Sequence, residues 1–272
     1  MKKWVGCKMK NDKLLPIGFF DSGIGGISVL KEARKYLPNE SFLYYGDNAN
    51  APYGTKSIDM IRQLTKKAAF LLVQKGIKIL VIACNTATSA SINDLRNELT
   101  IPVIGMEPAL KPAIHYRDHG KIIVMATPAT LQQEKFKYLM NRYGELNNVI
   151  PLPCPGLVEI IEKGITNGNQ IDQYLEDIMK PWKADTDVVV LGCTHYVFIK
   201  ESICSFFQNK IKVVDGNHGT VMQLMRILNN SDLNYDGDLA VSLNKENAAV
   251  EIYTSGNSEE IIPLCYNLIF NL

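Results

Sequence analysis

The chain has no surplus of either charge. Its 29 Lys and Arg face 28 Asp and Glu, for a net charge of +1 at pH 7. Proteins that grip a phosphate backbone or an anionic bilayer gather basic side chains, so nucleic acid and membrane are excluded as expected partners. A disulfide framework is also lacking: Cys7, Cys84, Cys154, Cys193, Cys204 and Cys265 form no CxxC pair and no dense pattern. Cysteines spaced in this way read as reduced thiols in a cytoplasm. No stretch approaches the roughly 18 apolar residues that would span a bilayer. The start, MKKWVGCKMKNDKLLP, is basic but has neither the apolar core nor the small-residue cleavage site of a secretion signal. Residues 1–13 read as a disordered extension ahead of a cytosolic fold.

What is present is a globular composition, 46% apolar and 21% charged, on 272 residues, enough for two lobes of ordinary size. Apolar runs of strand length recur near 14–20, 41–46, 78–83, 101–106, 121–126, 187–192 and 212–216. Helix-period stretches such as SVLKEARKYL, DMIRQLTKKAAFLLVQKG and LQQEKFKYLMNRYG lie between them. This alternation predicts an α/β fold with largely parallel sheets. VIACNTA and VVLGCTHY echo one another, each running apolar strand, small residue, Cys, then hydrogen-bonding side chains. Two similar α/β lobes facing a central cleft would bring both cysteines together. The expected division is 14–104 with 215–272 as the lobe carrying Cys84, and 105–214 as the lobe carrying Cys193.

Open α/β sheets collect functional groups at the carboxyl ends of their strands. Five such junctions are informative: DSGIGG (21–26), GDNANAPYGTKS (46–57), ACNTATSA (83–90), ATPAT (126–130) and GCTHY (192–196). A buried strand-end Cys is ordinarily core, and Cys7, Cys154, Cys204 and Cys265 are read so. Cys84 and Cys193 differ, because the Asn-Thr and Thr-His that follow them are poor core residues. A helix N-terminus or a nearby cation can lower a thiol from its reference pKa of about 8.5. Two such thiols can then remove a proton from one face of a Cα and return one to the other, as an amino-acid racemase requires. A metal is not expected, since Cys193 and His195 have no second ligand pair.

In DSGIGG, Asp21 and Ser22 precede glycines at a helix start, a backbone nest suited to an anion. Asp21 could grip a substrate ammonium, tune a neighbouring thiol, or simply cap the helix. The full G-x-G-x-x-G of a dinucleotide site is missing. Pro52, Tyr53 and Gly54 form a turn whose amides could reach a carboxylate. Thr127 and Thr130 offer hydroxyls at another strand end, or helix caps.

Taken together, FDSGIGG, YGDNANAPYGTKS, VIACNTATSA, ATPAT, LGCTHY and IYTSGN resemble the glutamate racemases of the aspartate/glutamate racemase superfamily, in order from Ile17 to the C-terminus. The resemblance implies a cytoplasmic, cofactor-independent, two-domain enzyme, a homodimer, that interconverts L- and D-glutamate and supplies D-glutamate for peptidoglycan. It implies Cys84 as the thiol that deprotonates the D-enantiomer and Cys193 as the one that deprotonates the L-enantiomer. Asp21 and His195 would be their respective assistants, and Glu162 would lie near the second thiol. Substrate contacts would come from Asp21, Ser22, Pro52, Tyr53, Gly54, Asn85, Thr86, Thr127, Thr130 and Thr194. Val197 stands where the family often has Pro after GCTHY. Rival readings are a superfamily member acting on aspartate, a hydantoin or a malonate, a binding protein without turnover, and a dinucleotide oxidoreductase.

Overall fold

The computed structural model describes residues 12–143, 148–235 and 250–270. Two parallel sheets organise it. The first contains β1 (Ile17–Asp21), β2 (Phe42–Gly46), β3 (Ile79–Ile82), β4 (Val103–Gly105) and β9 (Val250–Thr254), in the order β4-β3-β1-β2-β9. The second contains β5 (Lys121–Ala126), β6 (Val149–Pro153), β7 (Thr186–Leu191) and β8 (Lys212–Asp215), in the order β6-β5-β7-β8. The first four strands therefore repeat as the next four: 4-3-1-2 becomes 8-7-5-6, with β9 added beside β2. The short echo in the sequence marks a repeat of topology.

The strands are continuously apolar because both faces of each sheet are covered. Ile17 and Phe19 of β1 face one core with Ile79 and Val81, while Phe20 faces the other with Leu80 and Ile82. The second sheet divides likewise, with Ile123 and Val189 on one side and Ile122 and Val188 on the other. Helices α1 (Ile27–Tyr36), α2 (Ile58–Gln74), α3 (Asn85–Glu98) and α4 (Leu110–Tyr116) belong to the first part of the chain. They are followed by α5 (Pro128–Gln132), α6 (Glu134–Tyr143), α7 (Leu157–Glu162), α8 (Asn169–Met179), α9 (Lys200–Phe206), α10 (Asn217–Asn230) and α11 (Ser258–Phe270). After β8 the chain returns to the first sheet: Val221, Leu224 and Leu228 of α10 and Leu268 of α11 share a core with Leu30 of α1.

Several expectations need correction. Asp12–Leu14 form a 3-10 turn, and the Lys13 carbonyl accepts from Lys78 Nζ at 2.9 Å, so these residues are built into the fold. Residues 1–11 of the expected extension lie outside the described residues. Strand β4 ends on Gly105 and β8 on Asp215, each one residue past the boundary read from the sequence. The stretch from 131 to 143, read as one helix, is broken at Gln133, whose extended backbone lets its side chain turn inward and donate to the Thr86 carbonyl at 3.3 Å. Gly144 of that stretch lies outside the described residues. Strands β6 and β9 were not foreseen. Prolines 151 and 153 disguise β6, and its edge position is what tolerates them, since an edge strand need not donate on its outer side.

Candidate active site

Sequence places Asp21 at the end of β1 and Cys84 just after β3, adjacent strands at the point where the strand order reverses. Thr127 and Cys193 occupy the matching places after β5 and β7 of the second sheet. All the residues read as site candidates gather where these four strand ends meet.

Cys84 is the N-cap of α3, its Sγ accepting from Ala87 N at 3.4 Å. Ser22 Oγ lies 3.4 Å from the same sulfur and 3.5 Å from Asp21 Oδ1. Asp21 thus reaches Cys84 through a serine hydroxyl. Its other oxygen accepts from Thr194 Oγ1 at 3.0 Å, and Oδ1 accepts from Gly23 N at 3.0 Å. Burial raises the Asp21 carboxyl to about 6, even though the His195 charge and these two donors pull it down. Burial and the Asp21 charge push the Cys84 thiol up to about 12, against the hydrogen bonds from Ser22 and Ala87. Cys193 is near enough for its charge to contribute to that rise.

The second thiol has different company. Cys193 Sγ lies 3.7 Å from His195 Nδ1, and His195 Nε2 makes a short hydrogen bond to Glu162 Oε1. Glu162 also accepts from Ile24 N at 2.9 Å and from Asn48 Nδ2 at 3.1 Å. Burial alone would lower the His195 imidazole, but its bonds to Cys193 and Glu162 prevail and hold it well above its usual value. Burial would raise Glu162, yet His195, Ile24 N–H and Asn48 keep it below the ordinary range. The result is a half-buried carboxylate paired with a buried imidazolium behind Cys193.

The DSGIGG turn departs from the anion nest read in sequence. Its amides at Gly23 and Ile24 are taken by the carboxylates of Asp21 and Glu162. Its glycines are needed for close approach: a Cβ on Gly23 would collide with Glu162 Oε1, and one on Gly25 would lie 2.5 Å from His195 Nδ1. Nor does Asp21 cap the helix, because the N-cap of α1 is Gly26.

The remaining candidates line the same junction. Thr86 of α3, Thr127 and Thr130 form a triangle of hydroxyls 2.9 to 3.1 Å apart, joining the two halves of the chain. Asn85 is buried and neither polar atom of its amide has a partner in the protein, as a ligand-binding group requires. Pro52 opens the turn that carries Tyr53 and Gly54. Tyr53 is buried, and its OH donates to Asp47 Oδ2 at 2.7 Å. A Cβ on Gly54 would sit 2.7 Å from Thr127 Cβ. Among the described residues, no three of His, Cys, Asp and Glu converge as a metal site requires.

Sequence reasoning missed the supports. Asp47, buried after β2, accepts from Tyr53, from Ser255 Oγ at 2.6 Å and from Asn50 Nδ2 at 3.1 Å, and so fixes the Pro52–Gly54 turn. Asn48 accepts from Thr254 Oγ1 at 2.8 Å, which accounts for the late IYTSGN segment. The available signal was their place directly after a strand.

The geometry agrees with what the chain is similar to. The model of the Asp/Glu/hydantoin racemase family matches residues 27–224. A glutamate racemase of Clostridium botulinum is 52% identical over 265 residues, covering 96% of this chain and 98% of that one. One from Clostridium acetobutylicum is 49% identical over 256 residues, covering 93% and 97%. Among solved structures, glutamate racemase from Thermus thermophilus in complex with β-chloro-D-alanine superimposes with a TM-score of 0.78 at 32% identity, covering 94% of each chain. Glutamate racemase from Francisella tularensis in complex with D-glutamate gives a TM-score of 0.78 at 27% identity, again covering 94% of each. The chain belongs to the Asp/Glu/hydantoin racemase family and, within it, to the glutamate racemases.

Proposed function

We propose that this chain interconverts L- and D-glutamate by moving the α-proton between Cys84 and Cys193. One observation carries the reading: the two thiols cap different strand ends of two topologically matched sheets, within electrostatic reach of one another, and each has its own assistant. Glutamate lies with Cα between the sulfurs. Its carboxylates are held by the unpartnered Asn85 amide, the hydroxyls of Ser22, Thr86, Thr127, Thr130 and Thr194, and the amides of the Pro52–Tyr53–Gly54 turn. Cys84 takes the proton of the D-enantiomer and Cys193 that of the L-enantiomer, and the opposite thiol reprotonates the planar intermediate. Fixed donors around the α-carboxylate stabilise the charge that develops there.

The two thiols are prepared differently. Cys193 is backed by the Glu162 and His195 pair, which sets an imidazole nitrogen 3.7 Å from its sulfur. Cys84 at about 12 is a thiol in the free protein, and the substrate ammonium supplies the charge that lowers it on binding, with Asp21 receiving or returning the proton through Ser22. Working in the cytoplasm as a homodimer, the protein supplies D-glutamate for peptidoglycan.

Proton NMR of the purified protein with L-glutamate in D2O tests this. The expected result is D-glutamate carrying deuterium at Cα, and loss of about a thousandfold or more in Cys84→Ser and in Cys193→Ser, as for removal of an essential acid or base. Absence of both exchange and D-isomer in the wild-type protein overturns it.

A further inference from the structure

Tyr44 lies in the middle of β2, only 1% exposed, and forms part of the core shared by the first sheet and α1. A buried phenol needs a partner, and this one donates to the carbonyl of Gly23 at 2.6 Å. The choice of acceptor is informative. The same peptide unit, Gly23–Ile24, presents its N–H on the other side, and that N–H donates to Glu162 Oε1 at 2.9 Å. Glu162 Oε1 in turn holds His195 Nε2, and His195 Nδ1 faces Cys193 Sγ at 3.7 Å. A single hydrogen-bonded line therefore runs from a core tyrosine on the first sheet, through one peptide, to the thiol on the second.

Two effects follow from elementary electrostatics. A donor on a peptide oxygen polarises the unit and makes its N–H a stronger donor, the more so where water is excluded. The bond also fixes the plane of a peptide that lies in a glycine-flanked turn, where no side chain on Gly23 or Gly25 steadies it. The carboxylate of Glu162 receives both consequences.

We propose that Tyr44 is a positioning residue for proton transfer at Cys193, fixing and polarising the Gly23–Ile24 peptide so that its N–H holds Glu162 ionised and aligned on His195. This rests on the two-thiol reading above. The hydroxyl remains protonated throughout the working range, since burial and the surrounding anionic groups raise it well above the usual phenol value. It acts only as a donor.

Tyr44→Phe keeps the packing and removes the donor. Loss of one neutral hydrogen bond lowers kcat about three- to tenfold, with KM changed less than about twofold. The acid limb of the kcat/KM profile moves to higher pH, because Glu162 loses part of the donor that favours its charge. The two directions also separate. The primary isotope effect with α-deuterated L-glutamate, abstracted at Cys193, rises, while that with α-deuterated D-glutamate falls. Because Tyr44 acts through Glu162, the loss in the Tyr44→Phe, Glu162→Gln double variant equals that of Glu162→Gln alone.

Isotope effects that stay fixed or move together, or losses that multiply in the double variant, overturn the proposal. Should Tyr44→Phe fail to fold, replacement of the side chain by 3-fluorotyrosine, a stronger donor of nearly the same size, moves the acid limb to lower pH. An unmoved limb there overturns it as well. A wild-type protein that fails to racemise glutamate defeats the two-thiol reading instead. Racemisation by the wild type with an unaltered Tyr44→Phe profile defeats the assignment of Tyr44 alone.

Discussion

Each residue proposed to be catalytic is set by a balance between burial and a few partners, and the balance differs at the two ends. Asp21 is wholly buried and raised to about 6, while Glu162, at 19% side-chain exposure, is held low by its imidazole. The sign of the Asp21 term follows from linkage. An ordinary Asp at 3.8 in the unfolded chain becomes about 6 in the fold, so the folded state binds this proton more tightly. Stability from this group is complete below about pH 4, falls as pH rises to about 6, and stays reduced by up to about 3 kcal/mol above that. Asp21→Asn removes the loss. The variant is expected to unfold at higher urea than wild type at pH 7, by about 1–3 kcal/mol, while racemising far more slowly. A wild-type to variant difference that stays constant from pH 4 to 7 would contradict the buried-carboxylate account. The strand-end position of the two cysteines was legible, since an apolar run precedes each and poor core residues follow it. The supporting roles of Tyr44 and Asp47 were not legible, because a tyrosine in a strand and an aspartate after one are commonplace, and nothing local says that one will meet the Gly23 carbonyl and the other Ser255.

Elements are held in register by polar contacts that periodicity does not reveal. Lys78, immediately before β3, has no side-chain exposure, and its ammonium donates to Glu40 Oε2 at 2.5 Å and to the carbonyls of Lys13 and Leu233, each at 2.9 Å. Glu40 Oε1 accepts from Tyr235 N at 3.0 Å. One ammonium thus ties three separate segments to the first sheet. Lys78→Met leaves a buried carboxylate without its cation and should cost about 3–5 kcal/mol, read as a lowered urea midpoint at an unchanged slope. Adding Glu40→Leu should recover only part, because two carbonyls and the Tyr235 N–H remain unpaired. A single variant within about 0.5 kcal/mol of wild type would refute this role. Helices α1, α2 and α6 and most strands were readable from apolar spacing. The break at Gln133 was not, since it serves a contact with α3, and β6 was hidden by prolines that only an edge position permits.

At the scale of the whole molecule, the strand order 4-3-1-2 recurs as 8-7-5-6, and each half places one cysteine after the strand next to its edge. The Thr86, Thr127 and Thr130 triangle and the Thr194 to Asp21 bond cross between the halves at the junction where glutamate is proposed to bind. A ligand that touches both halves stabilises the folded state by mass action, about 2.7 kcal/mol at a hundred times its Kd. D-Glutamate at that level is therefore expected to raise the melting temperature by about 5 °C. The rise should shrink in Thr86→Val. No rise at concentrations that saturate turnover would place the substrate elsewhere. Among the described residues no helix is long and apolar enough to cross a membrane.

By itself the sequence determined the α/β class, its two lobes of parallel sheet and the strand-end setting of Cys84 and Cys193, because strand burial, helix periodicity and strand-end composition are local properties written in short segments. Tertiary structure decided how those thiols are tuned. Whether Asp21 stands near 4 or 6, and whether Glu162 faces solvent or His195, depends on burial and on partners from 33 to 173 residues away in the chain. Dielectric environment and long-range contact are created by folding, so no local pattern could encode them in readable form.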